Sequence, residues 1–216
     1  MRLRRRGYFI AGFALLVFIV VAFAISVGAM GSFDSAIREQ AQQWASPWGE
    51  RAMIAFTWLG YEWLMVPLGL FLFWWLEKTG RRDEAILFAV STLSAEAASQ
   101  ILKPIFHRHR PEPFFGLHAP GTYSFPSGHA FVGTVYYGML AIVISPRRGV
   151  RAAGVVVGVV IGLSRIYLGV HFPSDVLAGL SLAAFWLAMA WLSFGGRWSS
   201  RAVKTAFVHP KPASLE

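Results

Sequence analysis

The chain has 216 residues, of which 56% are hydrophobic and only 14% charged, whereas an ordinary soluble domain carries about 25% charged residues. Its 9 Trp, 18 Phe and 6 Tyr exceed what one soluble core of this length needs, and with no Cys there are neither disulfides nor thiolate metal sites. Disordered chains, nucleic-acid-binding modules and most soluble enzymes are thereby set aside, and the expectation is an all-α polytopic membrane protein forming one domain over residues 1–216.

In chain order, Arg2, Arg4, Arg5 and Arg6 precede an apolar run over residues 8–29. A spanning helix needs about 20 mostly apolar residues rising about 1.5 Å each. The run outlasts the roughly 7–15 residues of a signal-peptide core, so a retained anchor is expected. Next, Phe33, Ile37, Trp44 and Trp48 interleave with Asp34, Arg38, Glu39 and several Gln. That pattern predicts a short helix lying at the outer interface and ended by Pro47, with an ordinary polar connector as the alternative. Further spans are predicted over residues 53–76, 85–105, 129–145, 152–170 and 176–194, six in all. Gly154, Gly158 and Gly162 recur every fourth residue of the fifth, a spacing that lets helices pack closely. Strands are not expected, because no barrel-like alternation of about ten residues repeats along the chain.

Charge orients the bundle. With six spans, one side holds Arg2, Arg4, Arg5, Arg6, Lys78, Arg81, Arg82, Arg147, Arg148, Arg151, Arg197, Arg201, Lys204 and Lys211, 14 of the 20 basic residues. The positive-inside rule puts that side, and both termini, in the cytoplasm of an inner or plasma membrane. The net charge of +9 is therefore a topology signal and a source of attraction to anionic headgroups, not a nucleic-acid footprint. Arg38, Arg51, Lys103, Arg108, Arg110 and Arg165 fall on the outer side.

The stretch from Lys103 to Asp175 carries the chemistry. Lys103 is followed by Arg110-Pro111, then by Pro126-Ser127-Gly128-His129, then by Ser164-Arg165, His171 and Asp175. All three clusters fall at the outer ends of predicted spans, and ionisable groups at membrane depth are costly enough to mark function. Arg110 and Arg165 suit phosphate oxygens through paired bonds, with Lys103 as a mobile point charge. Pro126-Ser127-Gly128 suits a helix start, where Ser127 caps or donates, Gly128 admits close approach, and free N–H groups face an anion. Asp175 is spaced to hold one imidazole nitrogen of His171 and leave the other free to attack phosphorus. His129 then serves as general acid and base.

These residues, arranged as Lys-x6-Arg-Pro, Pro-Ser-Gly-His and Ser-Arg-x5-His-x3-Asp, resemble the three signature motifs of the type 2 phosphatidic acid phosphatase superfamily, with no departure in order or spacing. The resemblance implies a helical core of six spans, an active site at the outer face and a metal-independent phosphatase working through phosphohistidine. It implies His171 as nucleophile, His129 as general acid/base and Asp175 as the group orienting His171. Lys103, Arg110, Ser127, Gly128 and Arg165 are the implied phosphate-binding residues. No cofactor is expected. The expected partners are a lipid phosphate and the bilayer, with undecaprenyl diphosphate, phosphatidic acid or phosphatidylglycerol phosphate as substrate and no oligomeric state indicated. A phosphotransferase using the same intermediate is the first alternative, and a non-catalytic lipid transporter or binding protein is the distant one.

The remaining polar residues receive plainer expectations. His107, His109, His118 and His209 read as surface or hydrogen-bonded side chains, with ligand contact as the lesser alternative for His109 beside Arg110. Arg108 reads as a headgroup contact, and Glu62 as interfacial. Glu96 reads as a structural partner for Lys103 or for a neighbouring helix. Phe114, Phe115, Tyr123 and Phe125 are expected to wall the pocket at the interface or to serve as membrane anchors.

Overall fold

The computed structural model describes residues 2–118 and 121–206, and among them every regular element is helical. The side chains of Arg2, Arg197, Arg201 and Lys204, and all of residues 207–216 with His209 and Lys211, lie outside the described residues. Eight helices follow in order: α1 (Arg2–Ser26), α2 (Gly31–Gln43), α3 (Pro47–Trp58), α4 (Glu62–Lys78), α5 (Arg82–Phe106), α6 (Gly128–Ile144), α7 (Arg148–Tyr167) and α8 (Pro173–Ala206). By length and composition, Arg4–Ser26, Arg82–Phe106, Arg148–Tyr167 and Pro173–Ser193 can each cross a membrane. The pair α3 and α4 makes a fifth candidate, bent by 40°.

Two local departures from the sequence expectations position the site. Pro47 opens a helix instead of ending one: it takes the first position of α3, where its missing N–H costs nothing, and the Ser46 hydroxyl accepts from Gly49 N at 3.1 Å. The single span expected over residues 53–76 is broken. Gly60 N and Tyr61 N close tight turns on Thr57 O and Trp58 O, and Tyr61 is extended. The break falls where Gly60, Tyr61 and Glu62 interrupt the apolar run, a dip short enough for a span-length hydropathy average to conceal.

The α6 helix is the axis of the bundle, flanked by α5, α7 and α8, while α1 lies along α8. With 17 residues it spans about 25 Å. Ala130, Phe131, Val135 and Met139 are fully buried, as expected of a helix apolar all round. The glycines of α7 allow its approach to α6. A Cβ at Gly154 or Gly158 would overlap Tyr137 or Thr134, and one at Gly162 would come 3.0 Å from the Ala130 Cβ. On the outside, α1 exposes Phe9, Phe13, Leu16 and Phe23, a face suited to lipid. At the far end of α6, the Arg81 guanidinium pairs with Glu84 and donates to the Val143 carbonyl. The basic α4–α5 turn thus sits at the opposite end of the bundle from the start of α6.

Candidate active site

All eight residues singled out by spacing converge at the N-terminal end of α6. Lys103 stands in the last turn of α5, which closes at His107 in a left-handed conformation and hands the chain to a long loop. That loop carries Arg110 and ends at Ser127, which flanks the start of α6. Arg165 lies in the last turn of α7, and His171 in the short turn before Pro173 opens α8. The Ser127 N–H donates to the Asp175 carbonyl at 3.1 Å, tying the start of α6 to that of α8.

His171 is buried, and its two ring nitrogens have different partners. Arg110 Nη1 lies 2.7 Å from Nε2, and Asp175 Oδ2 lies 3.4 Å from Nδ1. A guanidinium only donates, so Nε2 accepts and the proton sits on Nδ1, facing the carboxylate. Burial, together with Arg110 and Arg165 nearby, outweighs the Asp175 hydrogen bond and pushes the imidazole down to about 4. The ring is therefore neutral near pH 7. Arg110 is fixed by Thr122 O at 2.8 Å and Val170 O at 3.0 Å, and burial with Arg165 nearby lowers it to about 10.

The start of α6 is less tied. His129 is within electrostatic reach of Arg165, His171, Arg110 and Lys103, and its Nε2 is buried without a hydrogen-bond partner. The Ser127 Oγ and Arg165 Nε are likewise buried and unpartnered, so Ser127 does not cap α6 with its side chain. Arg165 Nη1 donates to Thr57 Oγ1 at 2.5 Å. A Cβ built on Gly128 would sit 3.3 Å from Ser99 Oγ and 3.7 Å from Lys103 Nζ, which places the ammonium beside the first turn of α6. Buried donors left open around helix-start amides make a receptacle for an oxyanion. Among the described residues no group of three or more His, Cys, Asp or Glu side chains is arranged to hold a metal ion.

Sequence reasoning missed several participants. Arg108 is not a headgroup contact: it bridges Asp175 Oδ1 and Asp34 Oδ2, each at 2.6 Å, and also reaches Ser174 Oγ at 2.7 Å. Asp34, from the helix read as interfacial, is buried. Tyr61, delivered by the break between α3 and α4, meets His129 edge-on with ring centroids 5.0 Å apart and lies within electrostatic reach of Arg165. The one available signal was Asp34, an acidic residue in the first turn of a helix on the predicted outer side. Phe125 is not pocket wall, since it is fully buried between Phe18 and Phe106. Phe114, Phe115 and Tyr123 remain half-buried in the loop. Glu96 accepts from Gln100 at 2.6 Å, and the ring of His109 turns toward Tyr123.

Comparison with known proteins places the chain in a family. The sequence profile of the PAP2 superfamily matches residues 84–199. Phosphatidylglycerophosphatase B of Bacillus subtilis is 31% identical over 179 residues, 77% of this chain and 86% of that protein. An undecaprenyl-diphosphatase of Sulfolobus acidocaldarius is 31% identical over 62% of this chain and 61% of its own length. The crystal structure of a transmembrane PAP2-type phosphatidylglycerolphosphate phosphatase from Bacillus subtilis superimposes with a TM-score of 0.72 at 29% identity, covering 87% of this chain and 96% of that one. With the motifs, the helical bundle and the profile in agreement, the chain belongs to the PAP2 superfamily of membrane phosphatases.

Proposed function

We propose that the chain is a phosphohydrolase that removes the terminal phosphate of a lipid phosphate or diphosphate at the outer face of the bacterial inner membrane, through a phosphohistidine on His171. The observation that carries this reading is the 2.7 Å contact between Arg110 and His171 Nε2 amid the unpartnered donors of Ser127, His129 and Arg165. In this reading six spans cross the bilayer: α1, the bent α3–α4 unit, α5, α6, α7 and α8. The basic end of the bundle faces the cytoplasm with both termini, and the site opens outward.

The reaction follows from the geometry. An entering phosphate takes over Arg110 Nη1, which frees the Nε2 lone pair of His171. Arg110, Arg165, Lys103 and the first amides of α6 hold the equatorial oxygens as phosphorus becomes five-coordinate. Nε2 bonds to phosphorus while the bond from phosphorus to the lipid oxygen breaks, and His129 gives that oxygen its proton. Asp175 offsets the positive charge on the phosphorylated ring. A water molecule then loses its proton to His129 and attacks phosphorus. The P–N bond breaks, inorganic phosphate leaves, and both histidines return to their starting states.

A lipid tail left in the bilayer needs no pocket of its own, so the protein has only the headgroup to hold. Undecaprenyl diphosphate is the favoured substrate, because a lipid monophosphate departs more readily than an alkoxide. Phosphatidic acid and phosphatidylglycerol phosphate follow. The named activities of the relatives support the class. The test is phosphate release from these three lipids in nanodiscs in the presence of a chelator, alongside His171→Ala. Release by the parent enzyme and none by the variant is expected. Label recovered on a lipid acceptor would replace hydrolysis with transfer, and activity retained in the variant would overturn the reading.

A further inference from the structure

Asp34 lies on α2, 74 residues from Arg108 and 140 from Ser174, yet its carboxylate is saturated by the start of α8. Oδ1 accepts from Ser174 N at 2.9 Å, and Oδ2 accepts from Ser174 Oγ at 2.7 Å and from Arg108 Nη2 at 2.6 Å. Phe172, which precedes α8, has no side-chain acceptor with which to cap it. The first turn of α8 is capped instead by two carboxylates: Asp34 takes Ser174 N, and Asp175 Oδ2 takes Phe172 N at 3.0 Å. Arg108 then joins them, with Nη1 on Asp175 Oδ1 and Nη2 on Asp34 Oδ2. Asp34, Ser174 and Asp175 are all essentially buried.

This chain of contacts leaves Asp175 one free direction. Its Oδ1 is held by Arg108, and its Oδ2 is shared between Phe172 N and His171 Nδ1. Asp34 and Asp175 share the Arg108 guanidinium, and Arg38 lies within electrostatic reach of both carboxylates. Without the Asp34 carboxylate, Arg108 would lose the anchor that fixes its fork on Asp175.

We infer that Asp34 is a positioning residue for the phosphoryl-transfer reaction, acting through Arg108 and Ser174 to hold Asp175, and through it His171, in attacking geometry. The inference rests on the proposed role of His171. Groups facing that ring are Arg110 from the loop, Arg165 from α7, His129 from α6 and Asp175 from α8, and Asp34 touches none of them directly.

A double-mutant cycle in the full-length protein tests it, with kcat and KM measured per folded molecule. Asp34→Asn is expected to lower kcat roughly 10- to 100-fold with KM within about threefold, as for other groups that orient a reacting side chain. In an Asp175→Asn background the same change is expected to cost less than about threefold, because its route of action is already cut. Asp34→Glu is expected to recover part of the loss. If Asp34→Asn does not fold, Ser174→Ala, which removes the bridging hydroxyl and keeps every charge, takes its place in the cycle with the same expected non-additivity. Losses that multiply across the cycle overturn the inference. Activity retained in His171→Ala overturns the underlying reading instead, whatever the cycle shows.

Discussion

The turn between α7 and α8 and the start of α6 each deliver one imidazole to the same cluster of cations, and they hold it differently. His171 has both ring nitrogens engaged, with Arg110 on one side and Asp175 on the other, and Asp175 is itself held by Arg108 and Phe172. His129 has Tyr61 against its ring edge and a buried Nε2 with nothing to bond. In the proposed reaction this is the division the chemistry needs. A nucleophile profits from being aimed in advance, whereas a proton donor needs a vacancy where the departing oxygen and then water arrive.

Breaking the two halves separately is expected to give different failures. His171→Ala should lower kcat/KM by about 10⁴-fold or more and leave no acid-labile phosphoprotein after quenching. His129→Ala should lower turnover by about 10² to 10⁴-fold. With a diphosphate lipid, whose leaving group needs little protonation, it should still accumulate phosphorylated His171, visible as labelled protein. Equal labelling in the two variants would abolish the distinction.

The pH dependence of stability sharpens the contrast next. His171 sits at about 4 in the folded chain, below its ordinary 6.5, so the unfolded chain binds the extra proton between those values. The stability associated with the neutral ring is present above pH 6.5 and is lost as pH falls through 4, a total of about 3 kcal/mol. Melting in detergent should therefore fall more steeply from pH 7 to 4 in the parent protein than in His171→Gln. Parallel curves would mean that the ring is not held neutral.

Smaller effects are expected at the edges of the cluster. Arg165→Lys keeps the charge but gives up the planar fork that reaches both Thr57 and the site, and should raise KM about 10- to 30-fold. Gly60→Ala puts a Cβ 2.7 Å from His129 Cδ2 and 2.8 Å from Ile161 Cγ2, a crowding of about 1–3 kcal/mol. Because the ring of His129 is the nearest group, kcat should fall severalfold with KM little changed. Assays on folded protein, with melting as control, separate this from simple destabilisation.

Much of this was legible in the sequence. The spacing from Lys103 to Asp175 singled out eight residues that the fold brings together at the start of α6, and apolar runs located the long helices. What stayed hidden was of two kinds. The contacts of Asp34 with Arg108 and Ser174 cross 74 and 140 residues, and no local periodicity encodes them. The break that brings Tyr61 to His129 falls at Gly60, Tyr61 and Glu62, a dip that a hydropathy average over a whole span smooths away. Pro47 was misread for a related reason: proline both stops and starts helices, and only Ser46 just ahead of it distinguishes the two.

The guanidinium lying against Nε2 has a consequence for the reactivity of His171. A lone pair already committed to a cation is poorly reactive toward stray electrophiles, so acylating reagents that modify imidazoles should find His171 guarded. In the proposed reaction only an anion able to draw Arg110 aside would uncover it, so that the cargo itself would unlock its own attacker.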